Sequence, residues 1–357
     1  MILYGPRQAG KTTLLNMLAE KLEGKIRWWN GDEPDHRAQL LNPTSTELRH
    51  MIGGSKYVFI DESQRIENIG LCLKFITDNI RDVKVIASGS SAFELANKIN
   101  EPLTGRKWEF WLFPFSYKEL SAHQDAEAER RLLHKRMIYG YYPDVVNIPG
   151  DEPDILRELS GSYLYKDVLT WERIQKPDKL ERLVQALALQ VGSEVSFNEL
   201  GLLCGIDNET VEKYISLLEK AFIVFRLNSF SRNLRNELKK KRKVYFYDNG
   251  IRNAVISQYN QLDLRADTGQ LWENFLISGR VKFTANAGIQ SNKYFWRTTA
   301  QQEIDYIEES EGKLKAFEMK WNPLRNTTIP RSFIKGYPHA DLKIITPDNY
   351  EELLTQP

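Results

Sequence analysis

A glycine-rich stretch near the start of the chain has the residue types of a phosphate-binding loop. It reads GPRQAGKTT and matches the pattern G-x-x-x-x-G-K-[ST]. The glycines let backbone amides wrap a phosphate, and a helix beginning at Lys11 adds the positive end of its dipole. The Lys11 ammonium would contact the β- and γ-phosphates, and the Thr12 hydroxyl would ligate Mg²⁺. We therefore expect ATP and Mg²⁺ to be bound by a loop that consists of Gly5, Pro6, Arg7, Gln8, Ala9, Gly10, Lys11, Thr12 and Thr13.

A pair of acids follows an apolar run farther along the chain. The segment KYVFIDE places Asp61 and Glu62 directly after the apolar residues YVFI. Asp61 would hold Mg²⁺ through water, and Glu62 would orient or polarise the attacking water. On its own, an acidic pair after a strand is typical of a solvated turn. The phosphate-binding loop earlier in the chain favours the catalytic interpretation, and the two motifs together predict Mg²⁺-dependent hydrolysis of ATP.

Residues of the C-terminal part could form a second metal site. Asp305 lies in EIDYI, and Glu318 and Lys320 lie in AFEMKW. The two carboxylates would bind Mg²⁺, and Lys320 would stabilise or position the nucleophilic water. This order resembles the core of PD-(D/E)xK nucleases, and Glu273 in the preceding segment LWENF matches the additional acid of that core. Alternating charged strands also produce this pattern, so a solvated strand face is the alternative and nuclease activity stays open.

A basic run, SRNLRNELKKKRK, lies between the two candidate sites. It could contact nucleic-acid phosphates, because clustered lysine and arginine side chains neutralise them. Charge runs are also typical of solvated loops, so direct DNA binding stays open. The basic residues of the run are Arg232, Arg235, Lys239, Lys240, Lys241, Arg242 and Lys243, and Glu237 is the acid among them.

The hydrophobic pattern indicates the elements that must position these residues. In roughly the first 120 residues, short apolar runs alternate with helical patterns, which predicts βαβ units around a parallel sheet. Farther on, Ser196 and Glu199 form a capping box for one short helix. Asp207 or Asn208 can cap a second helix, and the strand-like FIVFRL follows. Two short helices and a strand in this order suggest a winged helix-turn-helix.

Bulk composition excludes several classes of protein. Charged residues make up 27% and apolar residues 41% of the chain, and the net charge of +1 argues against a dedicated nucleic-acid coat. Cys72 and Cys204 form no CxxC pair, so we expect neither a disulfide framework nor a zinc knuckle. No apolar run approaches the roughly 20 residues that cross a bilayer, and no signal peptide is seen. We therefore expect a cytoplasmic protein without a membrane partner.

Several motifs occur in one order that is typical of a known group. They include GPRQAGKTTLL, KYVFIDESQRI, VIASGSSAFEL, LTGRKWEFWLFPFSYKEL and YGYYPDVV. Together they resemble prokaryotic AAA-superfamily ATPases whose C-terminal half is a domain of unknown function, and the resemblance covers nearly the whole chain. Relatives carry some tens of residues before the loop, which complete the first strand and help to wall the adenine. Because Met1 falls within that strand here, we expect phosphate chemistry to be retained and adenine recognition to be the weak point.

The resemblance implies two further site residues. In AAA-type ATPases a polar residue at the end of the strand VKVIAS contacts the γ-phosphate or the attacking water, and we assign this sensor-1 role to Ser88. Ser90 and Ser91 are alternatives. Arg106, just after Gly105, could reach a neighbouring γ-phosphate as an arginine finger, or the γ-phosphate of its own chain. A surface arginine at a turn is an equally good interpretation of Arg106.

The expected architecture is α/β and has four segments. They are an AAA-type P-loop parallel-sheet ATPase core at 1–124, a helical linker or lid at 125–190, a winged-helix-like segment at 191–255 and an α/β restriction-endonuclease-like domain at 256–357. The favoured function is an ATP-hydrolysing switch coupled to a DNA-directed C-terminal half. The alternative is a nucleotide-dependent protein-interaction module whose nuclease-like domain is inactive. A small-molecule kinase is disfavoured, since nothing after the loop resembles an acceptor-substrate lid, and a trans-acting Arg106 would require a homo-oligomer.

Overall fold

The computed structural model describes residues 1–90, 103, 105–164, 176–230, 242–324 and 329–357. The chain divides into two compact units. The first is formed mainly by Met1–Pro114, and the second by most of the chain from Phe115 onward. Within the described ranges, no helix is long and apolar enough to span a membrane.

The first unit contains a parallel sheet with strands in the order β2-β3-β4-β1-β5. Its strands are β1 (Ile2–Tyr4), β2 (Ile26–Asn30), β3 (Tyr57–Asp61), β4 (Lys84–Gly89) and β5 (Glu109–Trp111). Its helices are α1 (Lys11–Lys21), α2 (Pro34–Leu40), α3 (Ser45–Ile52) and α4 (Ile69–Asn79). The parallel α/β sheet expected from the alternating pattern is confirmed.

Apolar packing holds α1 against this sheet. Leu15 of α1 forms a buried cluster with Phe59 of β3 and Ile86 of β4. These side chains are removed from water, which is the main stabilising contribution to such a layer. Because α1 is anchored in this way, the loop that precedes it is held at the carboxyl ends of the strands.

The second unit begins with a series of mostly short helices, in the part of the chain where helical patterns were expected. They are α5 (Tyr117–His123), α6 (Ala126–Arg131), α7 (Leu133–Tyr139), α8 (Pro143–Asn147), α9 (Glu152–Glu158), a π-helical turn (Leu159–Leu164) and α10 (Pro177–Leu189). The remaining helices are α11 (Phe197–Cys204), α12 (Asn208–Lys220), α13 (Asn249–Val255), α14 (Thr268–Asn286), α15 (Arg331–Gly336) and α16 (Tyr350–Thr355).

A mixed sheet organises this unit. Its order is β12-β11-β10-β9-β7-β8-β6. The strands are β6 (Glu194–Val195), β7 (Val224–Ser229), β8 (Arg242–Phe246), β9 (Asn292–Arg297), β10 (Glu303–Ser310), β11 (Lys313–Met319) and β12 (Asp341–Ile345). Strands β7 and β9 pair in parallel, so the segments expected to be winged-helix-like and nuclease-like share one sheet. The four-segment division of the chain stays a prediction.

At the start of α11, the structure shows one of the two hydrogen bonds of the predicted capping box, and at the start of α12 the predicted cap at Asp207 is present. The Ser196 side chain accepts a hydrogen bond from the amide of Glu199 at the start of α11. At the start of α12, the Asp207 carboxylate accepts hydrogen bonds from the amide and the hydroxyl of Thr210. Each cap satisfies amides that a helix terminus leaves without an intrahelical partner.

The backbone of the motif YGYYPDVV packs against the buried carboxylate of Asp248 in the second unit. Gly140 has φ 74°, and a Cβ at this position would lie 1.9 Å from Asp248 Oδ1. The other oxygen of Asp248 accepts a hydrogen bond of 2.8 Å from the Tyr141 amide. Burial raises the pKa of Asp248, although the nearby Lys282 ammonium opposes this shift. The close approach of backbone and carboxylate requires glycine, which explains the glycine of this motif in physical terms.

Candidate functional site

The phosphate loop leaves β1 after Tyr4 and enters α1 at Lys11. Gln8 has φ 57° and Gly10 has φ 93°, so two residues of the loop adopt left-handed backbone conformations. This conformation is costly for a residue with a side chain, and such strain is concentrated at functional sites. The residue before α1 is glycine, which has no side chain that could cap the first amides of the helix.

Lys11 points back into its own loop. Its side chain is only 5% exposed, and its ammonium donates hydrogen bonds to the carbonyl oxygens of Gly5, at 2.9 Å, and Pro6, at 2.8 Å. The charge is therefore placed inside the curve of backbone that the motif predicts as the phosphate cradle. A phosphate there would accept charge-assisted hydrogen bonds, which are stronger than those accepted by neutral carbonyls.

Thr12, on α1, meets Asp61, at the end of β3, although β1, the strand that leads to α1, is not a neighbour of β3. Strand β4 lies between β1 and β3, yet Thr12 Oγ1 donates a hydrogen bond of 2.6 Å to Asp61 Oδ2. The other oxygen, Asp61 Oδ1, accepts hydrogen bonds from the Glu62 amide and from the Ser88 hydroxyl. A hydroxyl and a carboxylate are the hard oxygen ligands that Mg²⁺ prefers, so these residues fit the metal that the motif implies.

Glu62 is held by a residue that the sequence analysis missed. Glu62 has φ 46°, and its Oε2 accepts a hydrogen bond of 2.6 Å from Gln64 Nε2. Gln64 is buried and also donates to the Ser90 hydroxyl at 2.9 Å. The Gln64 side chain therefore connects Glu62, after β3, to Ser90, after β4. A signal was present in DESQ, because a polar residue close to a catalytic acid in a buried turn must find partners.

Ser88 in the last part of β4 and Ser90 directly after it have different neighbours. Ser88 is fully buried behind Asp61, to which its hydroxyl donates, and its carbonyl accepts a hydrogen bond of 2.6 Å from the Ser63 hydroxyl. Ser90 lies on the Glu62 side through Gln64. Ser91 is outside the described residues. The structure therefore places Ser88 as a support for Asp61, and the sensor-1 role of any serine stays a prediction.

Arg106 is not brought to the phosphate loop of its own chain. Its guanidinium pairs with the Asp78 carboxylate near the end of α4. Arg106 also precedes β5, whose first residue Glu109 pairs with Ile2 at the amino end of β1. In a parallel sheet the amino ends lie at the edge opposite the carboxyl ends, where the loop begins. Action of Arg106 on a neighbouring molecule stays a prediction.

The second predicted site lies on α14, β10 and β11. The Met319 amide donates to Asp305 Oδ2 at 2.7 Å, and Lys320 Nζ donates to Glu318 Oε1 at 2.7 Å. Burial raises the pKa of Asp305 well above its usual range, and the carboxylates of Glu273 and Glu318 raise it further. Burial also raises the pKa of Glu318, whose Oε2 has no hydrogen-bond partner among the described residues. The four predicted residues therefore belong to one electrostatic cluster.

Lys243 lies inside this cluster, which the sequence analysis did not foresee. It is 2% exposed, its ammonium lies 3.0 Å from Glu273 Oε1, and it also pairs with Glu303. The Tyr245 hydroxyl donates to the same Glu273 oxygen at 2.6 Å. Burial disfavours the charge of Lys243, but the carboxylates of Glu273, Asp305 and Glu303 raise its pKa above the ordinary value. The Lys243 ammonium therefore places a positive charge inside this cluster of carboxylates.

The same observation corrects the interpretation of the basic run. Lys243 was expected among the residues that could contact nucleic acid, but it is buried among carboxylates. Arg242 pairs with Glu212 at 3.0 Å. The remaining residues of the run, at 231–241, lie outside the described residues. In the part of the chain that is described, no group of three or more His, Cys, Asp or Glu side chains is spaced to hold a metal ion.

Family models match three parts of the chain. Residues 1–121 match an AAA domain, residues 130–263 a domain of unknown function (DUF8612) and residues 268–352 another domain of unknown function (DUF4143). An uncharacterised protein of Mycobacterium tuberculosis is 24% identical over 324 residues, which cover 90% of this chain and 70% of that protein. One of Haemophilus influenzae is 26% identical over 289 residues, covering 72% of this chain and 69% of that protein. The match of residues 1–121 to the AAA domain supports an ATPase of the AAA superfamily.

Solved structures resemble the chain only loosely. The Orc1 protein of Aeropyrum pernix in complex with DNA has a TM-score of 0.32 and 14% identity, covering 72% of this chain and 86% of that one. A DNA replication initiation factor has a TM-score of 0.25 and 14% identity, covering 62% of this chain and 85% of that one.

Proposed function

We propose that this chain binds ATP with Mg²⁺ at the phosphate loop of its first unit and hydrolyses it. The observation that carries the proposal is the 2.6 Å hydrogen bond between Thr12 and Asp61, which joins the two predicted metal ligands across an intervening strand. The AAA-domain match over residues 1–121 supports the same reaction class.

The loop would bind the triphosphate with its amides and with Lys11. The ammonium now donates to the carbonyls of Gly5 and Pro6, and it would turn to the β- and γ-phosphate oxygens. The first amides of α1 would face the same anion, where the helix dipole favours negative charge. Lys11 would thereby position the γ-phosphate and stabilise the charge that develops on it.

Thr12 and Asp61 would hold Mg²⁺, which would supply positive charge to offset the charge of the phosphates. Ser88 would keep Asp61 in place through the hydrogen bond that it donates. Glu62 would accept a proton from, or orient, the attacking water. Gln64, bonded to Glu62 and Ser90, would hold the acid in the orientation that this role needs.

The decisive experiment measures Mg²⁺-dependent phosphate release by the full chain. Lys11→Ala should lower the rate by about a hundredfold or more, because a charge aimed at the transition state is lost. Lys21→Ala is the matched control, since it removes an exposed lysine from the other end of the same helix, and it should leave the rate unchanged. Equal hydrolysis by wild-type protein and Lys11→Ala would refute the proposal.

For the second unit we propose a nuclease-like domain without metal-dependent cleavage activity, acting in nucleotide-dependent contact with a protein partner. The order α14, β9, β10, β11, α15, β12 puts Asp305 and Glu318 on neighbouring strands, which supports the nuclease-like architecture. Lys243 supports inactivity, because its ammonium contacts Glu273, the additional predicted acid, and a positive charge beside the predicted site opposes the binding of a cation. Coupling to DNA is the competing function, and the basic run is the feature that favours it.

A cleavage and stimulation assay separates the two functions. The full chain with ATP and Mg²⁺ or Mn²⁺ should not cleave plasmid or linear DNA, and DNA should not raise its ATPase rate. Cleavage that disappears in Glu318→Gln, but persists in the exposed control Glu352→Gln, would establish an active nuclease site. Stimulation by DNA that falls steeply with added salt would establish phosphate contacts instead.

A further inference from the structure

The end of β5 is fixed against the beginning of the phosphate loop. Trp111 is the register partner of Tyr4, the last residue of β1. The amide of Leu112 donates to the Tyr4 carbonyl at 2.7 Å. A Cβ on Gly5 would lie 2.2 Å from the Leu112 carbonyl oxygen, so only glycine allows this approach. The segment around Trp111 therefore forms one side wall of the loop entrance.

The indole of Trp111 is open to solvent at this wall. Its side chain is 47% exposed, whereas the ring of Tyr4, with a centroid 6.3 Å away, is buried. Strand β5 is the edge strand of the sheet, so no further strand of the sheet lies beside it in the described residues. A single exposed aromatic is ordinary on a protein surface. This one is distinguished by its place, next to the first residue of a phosphate loop.

The acids and serines that are proposed for hydrolysis all lie on the side of β1 that faces away from β5. Asp61 and Glu62 follow β3, and Ser88 and Ser90 lie at the end of β4, so the γ-phosphate end of a bound nucleotide belongs on that side. The nucleoside end must then leave the loop in the opposite direction. The strand on that side of β1 is β5, which exposes Phe110 and Trp111 near its carboxyl end. Trp111 is the register partner of Tyr4, the residue before the loop, and is therefore the nearer of the two to the loop.

We propose that Trp111 is the platform on which the base of the bound nucleotide stacks. This inference rests on the proposed ATP site and adds the residue that recognises the nucleoside. Stacking on an indole uses the π-face that every nucleobase has, so it contributes affinity without choosing between bases. It would supply base binding from within the first unit itself.

Binding of two ligands tests this role. The full chain, with Mg²⁺, is titrated with ATP and with inorganic tripolyphosphate, which has the phosphates but no base. Trp111→Ala should weaken ATP binding by about tenfold and leave tripolyphosphate binding unchanged. Trp111→Phe keeps an aromatic face and should restore most of the ATP affinity.

Trp108 provides the matched control. It is 78% exposed and lies at the amino end of β5, where its carbonyl accepts a hydrogen bond from Ile2, so it is at the edge away from the loop. Trp108→Ala should change the affinity for neither ligand. Thermal unfolding of each variant shows whether the fold is retained.

The outcomes are distinct. Unchanged ATP affinity in Trp111→Ala, with binding still abolished by Lys11→Ala, would overturn the inference and leave the ATP site standing. An equal loss of ATP and tripolyphosphate affinity would also overturn it, because the indole would then support the loop and not the base. If the wild-type chain bound neither ligand, the proposed ATP site itself would fail and the inference with it.

Discussion

Lys11 in the first unit and Lys243 in the second are both buried lysines, yet the fold gives them different surroundings. Lys11 donates to carbonyl oxygens of a loop whose backbone curves around it. Lys243 contacts the carboxylates of Glu273 and Glu303 in the interior of a sheet. The first ammonium lies in the loop that is proposed to bind phosphate, and the second is paired with carboxylates. The same residue type therefore has different partners in the two regions.

Asp61 in the first unit and Asp305 in the second also have different surroundings. Asp61 accepts hydrogen bonds from the hydroxyls of Thr12 and Ser88 and from the Glu62 amide. Asp305 is buried beside other carboxylates, and its pKa is raised. A carboxylate with hydroxyl partners can exchange them for Mg²⁺, whereas a cluster that already contains an ammonium has less to gain from a cation.

The largest expected effect concerns the acid of the first region. Glu62→Gln should lower the turnover rate for ATP by about 10²- to 10⁴-fold, because a general base or water-orienting carboxylate is lost. The affinity for ATP should be unchanged, because Lys11 and the loop amides are intact. Steady-state turnover and equilibrium ATP binding measure the two quantities. The exposed Glu67→Gln is the control, and normal turnover in Glu62→Gln would remove this residue from the mechanism.

The second expected effect concerns the ammonium of the second region. Lys243→Ala leaves the partly buried carboxylates of Glu273 and Glu303 without their partner, which should lower the free energy of unfolding by up to about 3 kcal/mol, less than for a fully buried pair. Urea unfolding measures this change, and the exposed Lys335→Ala should stay within about 0.5 kcal/mol of wild type.

Divalent cations sharpen this test of the second region. Mg²⁺ or Mn²⁺ should stabilise Lys243→Ala against urea more than it stabilises the wild-type chain, because the cation replaces the lost charge. Wild-type stability that rises strongly with the cation would show that the cluster is a metal site after all, and the contrast between the two lysines would disappear.

A smaller effect is expected from the residue that supports Glu62. Gln64→Ala should lower kcat by about tenfold and leave KM for ATP within about twofold, because the acid loses its orientation but the loop still binds. Ser90→Ala keeps the hydrogen bond between Gln64 and Glu62 and should have a weaker effect. A rise in KM at constant kcat would assign Gln64 to nucleotide binding instead.

The smallest expected effect is a pH dependence of the free energy of unfolding that comes from Asp305. Its folded pKa is raised above the ordinary value of 3.8, so the unfolded chain releases this proton first as the pH rises. Stability should therefore fall between that value and the higher folded pKa, and Asp305→Asn should remove this part of the decline. Urea unfolding at several pH values measures it, with the exposed Asp341→Asn as control. An unchanged pH profile in Asp305→Asn would show that Asp305 is ionised in the folded chain.

Local patterns predicted those parts of the structure that depend on neighbouring residues. The pattern of GPRQAGKTT placed the start of α1 at Lys11, and KYVFIDE placed the acids at the end of β3. Alternation of apolar runs and helical patterns predicted the parallel sheet of the first unit. The caps at Ser196 and Asp207 were predicted for the same reason, because a cap is decided within a few residues.

Contacts between distant residues were harder to predict. Gln64 was missed because its importance comes from Ser90, which belongs to another strand end. Lys243 was counted in a solvent-exposed basic run, although it lies on β8, whose residues from Lys243 onward are all buried, and it contacts Glu273 and Glu303. Arg106 was considered for its own γ-phosphate, but strand direction puts it at the opposite edge of the sheet.

By itself, the sequence determined the phosphate loop, the acids after β3 and the alternation that makes the first unit a parallel sheet. These features follow from residue types a few positions apart, since backbone conformation and burial periodicity are local properties. Only the tertiary structure decided that Thr12 meets Asp61 across β4, that Lys243 enters the acidic cluster and that Trp111 flanks the loop. Strand order and register bring together residues that are far apart in the chain, and a local pattern contains neither.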